Sequence, residues 1–370
     1  MSEKEEPTSS NAFRLSGRQW MGVAVFAAAI YVLVPVAWRR IEPLDVKPDY
    51  RLPYELNSDY WLWSRLAAQQ SATHDTVLLG DSVVWGVYVK PGETLSHYLN
   101  AQEGRDRYAN LGINGAQPVA LAGLVEYYGA AIRNKQVLVQ CNPLWMNSPK
   151  RDLREDEEYA FFHPALTPQF TPRIPCYKET ASNRIGKVLD RYSPFHGWST
   201  HLQVAYFGEG DSPRTIPKWT LEHPNENPMN AVTCRLPAPA DHGKEEPISW
   251  VEHGIPKDNM PWVDLAGSLQ WKSFLRTIEL LQQRGNSVFV LVGPFNEHLL
   301  KDASRERYRD LKRDIEAALR EKGIPFLAPD PLPSEFYGDA SHPLSAGYAL
   351  LAKELVAGGF LAAGQQKPGR

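Results

Sequence analysis

Cysteine is scarce in this chain, and the three present, Cys141, Cys176 and Cys234, cannot all pair with one another. So few cysteines exclude a small domain held together by disulfides, and their spacing does not fit a zinc site. If the domain is exported, Cys176 and Cys234 could form one disulfide. Cys141 is expected to be a buried strand residue.

Several functional signatures are also missing. The sequence has no internal repeat and no Gly-Lys-Ser/Thr phosphate loop, and its net charge of -3 gives no reason to expect nucleic acid. The histidines between residues 143 and 266 lack the spacing of metal ligands; among them are His163, His196, His223, His242 and His253. We therefore predict neither a metal nor a cofactor.

Charge is absent from Trp20 to Trp38, a run of 19 residues. As a helix this run would reach about 28 Å, close to the roughly 30 Å hydrocarbon core of a bilayer. A cleaved signal peptide is the alternative, but the end of the run, Val36-Ala37-Trp38-Arg39-Arg40, offers no good small-x-small cleavage site. We therefore predict an uncleaved transmembrane helix over residues 20–38.

The predicted span divides the chain. Residues 1–19 form an N-terminal tail, residues 39–56 a proline-containing extended linker, and residues 57–370 the folded domain. Lysine and arginine flank the apolar run on both sides, so the positive-inside rule does not decide its orientation.

Two short motifs, far apart in the chain, carry the chemistry. Gly80-Asp81-Ser82 directly follows the apolar run 76–79, and Asp339 and His342 lie three residues apart near the C-terminus. A serine hydroxyl is a weak nucleophile unless an imidazole accepts its proton and a carboxylate orients that imidazole. Ser82, His342 and Asp339 are therefore the candidate nucleophile, base and orienting group.

With these motifs in this order the chain resembles the SGNH (GDSL-like) hydrolase family, whose members have a Gly-Asp-Ser block first and an Asp-x-x-His block last. The resemblance implies two further blocks that supply oxyanion donors. Asn110 to Ala116 is similar to the glycine block, with Gly115 as the donor, and Gln140-Cys141-Asn142 stands where the family has Gly-x-Asn-Asp. The implied oxyanion donors are Ser82, Gly115 and Asn142; a simple strand-end cap is the alternative for Asn142.

Strand and helix patterns alternate along the folded domain, which predicts an α/β fold with a doubly wound parallel sheet of about five strands. The predicted strands cover residues 76–79, 107–111, 136–141, 288–292 and 324–328. The predicted helices cover residues 91–101, 118–133, 268–284 and 304–322.

A Pro-rich insertion at residues 143–266 interrupts this alternation and holds 16 of the chain's 30 prolines. It also carries Trp145, Trp198, Trp219, Trp250 and Trp262. These side chains either stack on sugar rings or pack the insertion against the sheet. The later loop from Gly293 to His298 is expected either to line the same cleft or to be a plain turn.

The resemblance implies a single-pass membrane protein with its catalytic domain outside the cytoplasm. It would hydrolyse or transfer acyl groups, such as acetyl, on a cell-envelope polysaccharide through a seryl ester, with a membrane-embedded partner as a possible acyl donor. A lipid or small-ester esterase is one alternative. A catalytically silent scaffold subunit of an envelope assembly is another.

Overall fold

The computed structural model describes residues 15–159, 162–208, 215–236 and 247–360. Most of the N-terminal tail and His242 lie outside the described residues. The described residues form twelve α-helices around one sheet, so the α/β class is confirmed.

The sheet has five strands, all parallel, in the order β2-β1-β3-β4-β5. They are β1 (Thr76–Leu79), β2 (Tyr108–Asn110), β3 (Gln136–Cys141), β4 (Ser287–Val292) and β5 (Phe326–Leu327). Each lies within a residue or two of its predicted position. Because the order reverses between β1 and β3, a crevice forms outside the carboxyl ends of these two strands, where open α/β sheets bind ligands.

The helices before the insertion are α1 (Gly17–Ile41), α2 (Tyr60–Thr73), α3 (Ser82–Trp85), α4 (Leu95–Glu103) and α5 (Pro118–Tyr128). Within it lie α6 (Ala181–Tyr192), α7 (Pro194–Phe207), α8 (Ile216–Glu222) and α9 (Pro228–Ala231). After it come α10 (Leu269–Gln283), α11 (Asp302–Glu321) and α12 (Ser345–Ala357).

Alternate strand residues divide the core into two layers, as a doubly wound sheet requires. Val77, Val137 and Val290 pack with apolar side chains of α2, α5, α10 and α11. Leu78, Leu138 and Leu291 point the other way and pack with α4 and α12. Both faces of the sheet are therefore covered by helices.

Two predicted helices have different bounds in the structure. The helix expected over 91–101 is split into a 3-10 turn at Pro91–Glu93 and α4, because the Thr94 hydroxyl accepts the N–H of His97 and starts a new helix. The helix expected to reach residue 133 ends at Tyr128, where Gly129 follows.

The extended linker predicted over 39–56 is part of the folded unit. Helix α1 runs on to Ile41, and Glu42, Arg51, Leu52 and Leu56 are buried. The Arg51 guanidinium donates to the carbonyls of Trp85, Gly86 and Val89 at the C-terminal end of α3. The prolines do break the helix, but the leucines between them bury enough apolar surface to hold the segment on the domain.

The three thiols are free, so Cys176 and Cys234 do not form the disulfide considered above. Cys141 is buried in β3, as expected, and Cys176 is buried with its thiol directed at the Leu153 carbonyl.

Candidate active site

Ser82 lies at the carboxyl end of β1, as the first residue of the short helix α3. The turn that presents it is tight: a Cβ on Gly80 would come within 2.5 Å of the Val84 side chain. Gly86 then ends α3 with a φ of +93°, which favours glycine. The glycines on either side of Ser82 therefore allow an abrupt strand-to-helix turn.

The structure brings together the three residues predicted for nucleophilic chemistry. His342 Nε2 lies 2.7 Å from Ser82 Oγ, although 260 positions separate the two residues. His342 Nδ1 lies 2.8 Å and 2.7 Å from the two carboxylate oxygens of Asp339. The backbone N–H groups of Ser341 and His342 also donate to Asp339. These contacts form one hydrogen-bonded relay from carboxylate to imidazole to hydroxyl.

The electrostatics of the relay favour a charged imidazole beside a charged carboxylate. Burial lowers the pKa of His342, but the hydrogen bond and charge of Asp339, with the charge of Asp81, outweigh burial and leave that pKa raised. Burial raises the pKa of Asp339, but His342 and the two backbone N–H groups leave it lowered. Asp339 is therefore placed where it could stabilise an imidazolium at His342.

The three predicted oxyanion donors lie at the ends of neighbouring elements. The backbone N–H groups of Ser82 and Gly115 have no acceptor among the described residues. The Asn142 amide donates to Asp81 at 2.8 Å and accepts from Leu144 N–H, so it also serves as the strand-end cap given as the alternative. The amide nitrogen carries a second hydrogen that has no acceptor in the described part of the chain.

Several residues that hold this site together were not found from the sequence. The Asp81 carboxylate accepts from Trp145 Nε1 at 2.7 Å and from the N–H of Val83 at 2.9 Å. The Gln140 side chain accepts the N–H of Asp81. The only signal in the sequence was position, because Gln140 and Trp145 flank the strand end that carries Asn142.

The loop bearing Gly115 is held from both sides. Asn57 accepts the N–H of Asn114 at 2.9 Å, and the His163 ring lies 2.7 Å from the Asn114 carbonyl. Burial lowers the pKa of His163 to about 4, which favours the neutral ring, and the buried ring serves to hold the loop. These contacts fix the backbone direction at Gly115, whose φ is +76°.

The loop after β4 supports the Asp339 segment rather than lining an open cleft. Asn296 is fully buried, and its amide donates to the Asp339 carbonyl at 3.0 Å. Its backbone N–H donates to the carbonyl of Ala340. The Tyr88 hydroxyl also reaches Asp339, at 3.4 Å, and its ring meets the His342 ring edge on.

The tryptophans of the insertion pack against protein, so the sugar-stacking interpretation is wrong for the buried ones. Trp145, Trp250 and Trp262 are buried, and each indole N–H has a partner within the domain. Trp198 meets Trp38 of α1, and Trp219 stacks on His223. Burial of indole surface thus attaches the Pro-rich insertion to the sheet.

Two adjoining clefts begin beside the Gly115 loop. The first, of about 310 Å³, is lined by Asn114, His163 and Phe162, and the Phe162 ring covers Gly115. The second, of about 380 Å³, shares Phe162 and Ser58 with it and is lined by aromatic and charged side chains, among them Tyr60, Trp61, Tyr128, Lys187 and Asp190.

Among the described residues, no cluster of His, Cys, Asp and Glu side chains has the geometry of a metal site. One helix among these residues, α1, is long and apolar enough to cross a bilayer, and almost all of it is exposed.

Comparison with protein-family models gives no match to this chain, and comparison with curated proteins gives none either.

Proposed function

We propose that this protein is a membrane-anchored serine acyl hydrolase or O-acyltransferase of the SGNH (GDSL-like) type. The observation that carries the proposal is the relay from Asp339 through His342 to Ser82, with the Ser82 hydroxyl at the carboxyl end of a central parallel strand. The strand order and the intact relay support this family type and argue against a catalytically silent scaffold.

In the proposed first half-reaction, Ser82 Oγ attacks the carbonyl carbon of an acyl ester while His342 Nε2 takes its proton. The N–H groups of Ser82 and Gly115 and the Asn142 amide hydrogen would stabilise the negative charge on the carbonyl oxygen. Collapse of the tetrahedral intermediate expels the alcohol, which takes the proton back from His342. Ser82 then carries the acyl group as an ester.

In the second half-reaction, water or a sugar hydroxyl gives its proton to His342 and attacks the seryl ester. The same donors stabilise the second oxyanion, and Ser82 leaves with the proton from His342. Water releases the free acid, whereas a sugar hydroxyl gives an acylated glycan. Hydrolysis and transfer thus differ only in the acceptor that reaches Ser82.

The clefts beside Gly115 support a polysaccharide acceptor on the cell envelope. Their walls combine aromatic rings with a lysine and an aspartate, a lining that suits carbohydrate better than the narrow apolar tunnel expected for a lipid esterase. Anchoring by α1, with the domain outside the cytoplasm, would keep the site near such a polymer and near a membrane-embedded acyl donor.

The test is the mass of the Ser82-containing peptide after incubation with an activated acetyl ester and rapid acid quench. An added acetyl group is expected on the wild-type peptide. Ser82→Ala should abolish this mass shift, and a surface control, Ser273→Ala, should keep it. Acetylation of wild type and Ser82→Ala to the same extent would refute the seryl ester.

Adding oligosaccharide to the pre-acetylated protein separates the two reactions. Acetyl transferred to the sugar indicates a transferase, and acetate released at an unchanged rate indicates a hydrolase.

A further inference from the structure

Helix α6 exposes its apolar side. Ile185, Leu189 and Tyr192 follow each other at four and three positions, so they lie on one face, and their exposed fractions are 52%, 46% and 72%. No residue of α6 is buried, although polar and apolar residues are clearly separated around it. An isolated exposed leucine needs no explanation, but a continuous apolar stripe does.

The opposite, polar face of α6 is turned toward the protein. Arg184 donates to the carbonyls of Gln169, Tyr177 and Glu179. Arg191 donates to the carbonyls of Ala165 and Thr167. A third cation on this face, Lys187, forms an ion pair with Glu179 at 2.7 Å. This arrangement is inverted relative to a surface helix in water, which buries its apolar face.

Helix α7, which follows α6 directly, packs against the apolar helix α1. The Tyr31 hydroxyl bonds to the Ser193 hydroxyl, and the Tyr31 ring stacks on Phe195 with centroids 5.0 Å apart. Farther along the same helix pair, Trp38 meets Trp198. The corner between α6 and α7 therefore lies beside Tyr31, and α7 runs from there toward the C-terminal end of α1.

The position of this corner along α1 gives its depth in a bilayer. Tyr31 precedes Trp38 by seven residues, which at about 1.5 Å per residue is roughly 10 Å toward the middle of the predicted span. Amphipathic helices at a membrane surface bury their apolar face about 5–10 Å into the boundary between headgroups and acyl chains. If Trp38 marks the interface, the apolar corner reaches this boundary.

We propose that α6 and the start of α7 lie in the outer leaflet, with Ile185, Leu189 and Tyr192 against the acyl chains. This rests on the proposed anchoring by α1. A lipid surface is favoured because the stripe adjoins the exposed apolar surface of α1 and lies at interfacial depth. The contact holds the domain in one orientation, with the cleft lined by Lys187 and Asp190 close to the membrane.

The experiment uses the full chain in phosphatidylethanolamine–phosphatidylglycerol vesicles. In a Cys234→Ser background, a fluorophore is attached at Leu189→Cys on α6, at Val32→Cys on α1, or at Arg313→Cys on the solvent side of α11. Cys141 and Cys176 are buried and should not be labelled. Fluorescence quenching by lipids with a nitroxide on the acyl chain reports contact with the membrane. Quenching by aqueous iodide reports exposure to water.

We expect strong nitroxide quenching at position 32. Quenching at position 189 should be at least about twofold stronger than at position 313. Iodide should show the reverse order. Adding Tyr192→Asp to the Leu189→Cys chain should reduce nitroxide quenching without unfolding the protein, because Tyr192 is exposed.

Three outcomes would overturn the proposal in distinguishable ways. Quenching at 32 with equal, weak quenching at 189 and 313 would leave the anchor intact and reject the contact of α6 with lipid. Absence of nitroxide quenching at 32 would reject the anchor itself. Protection of position 189 from both quenchers would mean that a second copy of the chain covers the stripe.

Discussion

Helices α11 and α6 carry the same kind of pattern, and the molecule uses it in opposite ways. Helix α11 buries its apolar stripe of Tyr308, Leu311, Ile315 and Leu319 against the sheet. Helix α6 exposes its stripe and turns its cations inward. Periodicity therefore predicts that a helix has an apolar side, whereas the surroundings decide whether that side meets protein or lipid.

The largest effect on activity should come from the Asp339–His342–Ser82 relay, which lies on the same sheet that α11 packs against. Removing the proposed nucleophile or base, as Ser82→Ala or His342→Ala, should lower kcat for a small soluble acetyl ester by about 10⁴-fold or more, because the two residues would act as a unit. The double variant should cost little more than either single variant. Arg313→Ala, on the exposed side of α11, is the control and should keep wild-type turnover. Retained turnover in both single variants would place the chemistry elsewhere.

The second prediction compares the apolar stripes of α11 and α6 directly. Ile315→Ala removes buried methyl groups from the core and should lower the free energy of unfolding by about 2–5 kcal/mol. Leu189→Ala should change it by less than about 0.5 kcal/mol, because that side chain is half exposed in the absence of lipid. Denaturant unfolding in mild detergent measures both. Similar losses would contradict the contrast between α6 and α11.

A third prediction tests the oxyanion role of Asn142. Asn142→Ala should lower kcat by about 10²–10³-fold, as removal of one oxyanion donor does. The control is Trp145→Phe, which removes the other side-chain donor to the same Asp81 oxygen. If Asn142 acts only by holding Asp81, the two variants should lose the same activity.

The smallest effect concerns a buried polar network at the junction of α7 with the rest of the protein. The His201 ring lies 2.6 Å from an Asp59 oxygen and 2.9 Å from a Glu42 oxygen. Burial lowers the pKa of His201, but the two carboxylates outweigh it and raise the pKa to about 9. Burial raises the pKa of Glu42, but His201, Tyr206 and Arg65 lower it to about 2.

The His201 contribution to folding should be complete below pH 6.5, its ordinary value, and should be lost as pH rises to about 9. The Glu42 contribution should be complete above pH 4.5 and should be lost as pH falls toward 2. Unfolding measured against pH should therefore show a steeper alkaline loss in wild type than in His201→Gln. Parallel profiles would mean that His201 gains no proton affinity on folding.

Much of the sheet was predictable because its signals are local. Short apolar runs such as 76–79 and 136–141 end in polar residues, and the parallel arrangement then brings Ser82 and Asn142 to one edge. The motif chemistry likewise predicted which side chains meet in the relay. The spacing of Asp339 and His342 lets one turn present both groups.

The support around these residues was not predictable from the sequence. Arg51 caps α3 from a segment predicted to be a free linker, and Asn296 holds the Asp339 backbone from the loop after β4. Such contacts join positions far apart and have no motif of their own. The helices of the insertion did leave signals that were missed, since Ser193-Pro194 and Asn227-Pro228 are typical helix starts.

The sequence by itself determined the alternation of strands and helices, the apolar span near the N-terminus, and which three side chains form the relay, because each depends on local motifs. Only the tertiary structure decided that residues 42–56 belong to the folded domain, that Trp145, Trp250 and Trp262 of the insertion are buried, and that α6 faces outward with its apolar side. Those outcomes depend on which surfaces meet, and a surface is formed by residues that the linear sequence does not place together.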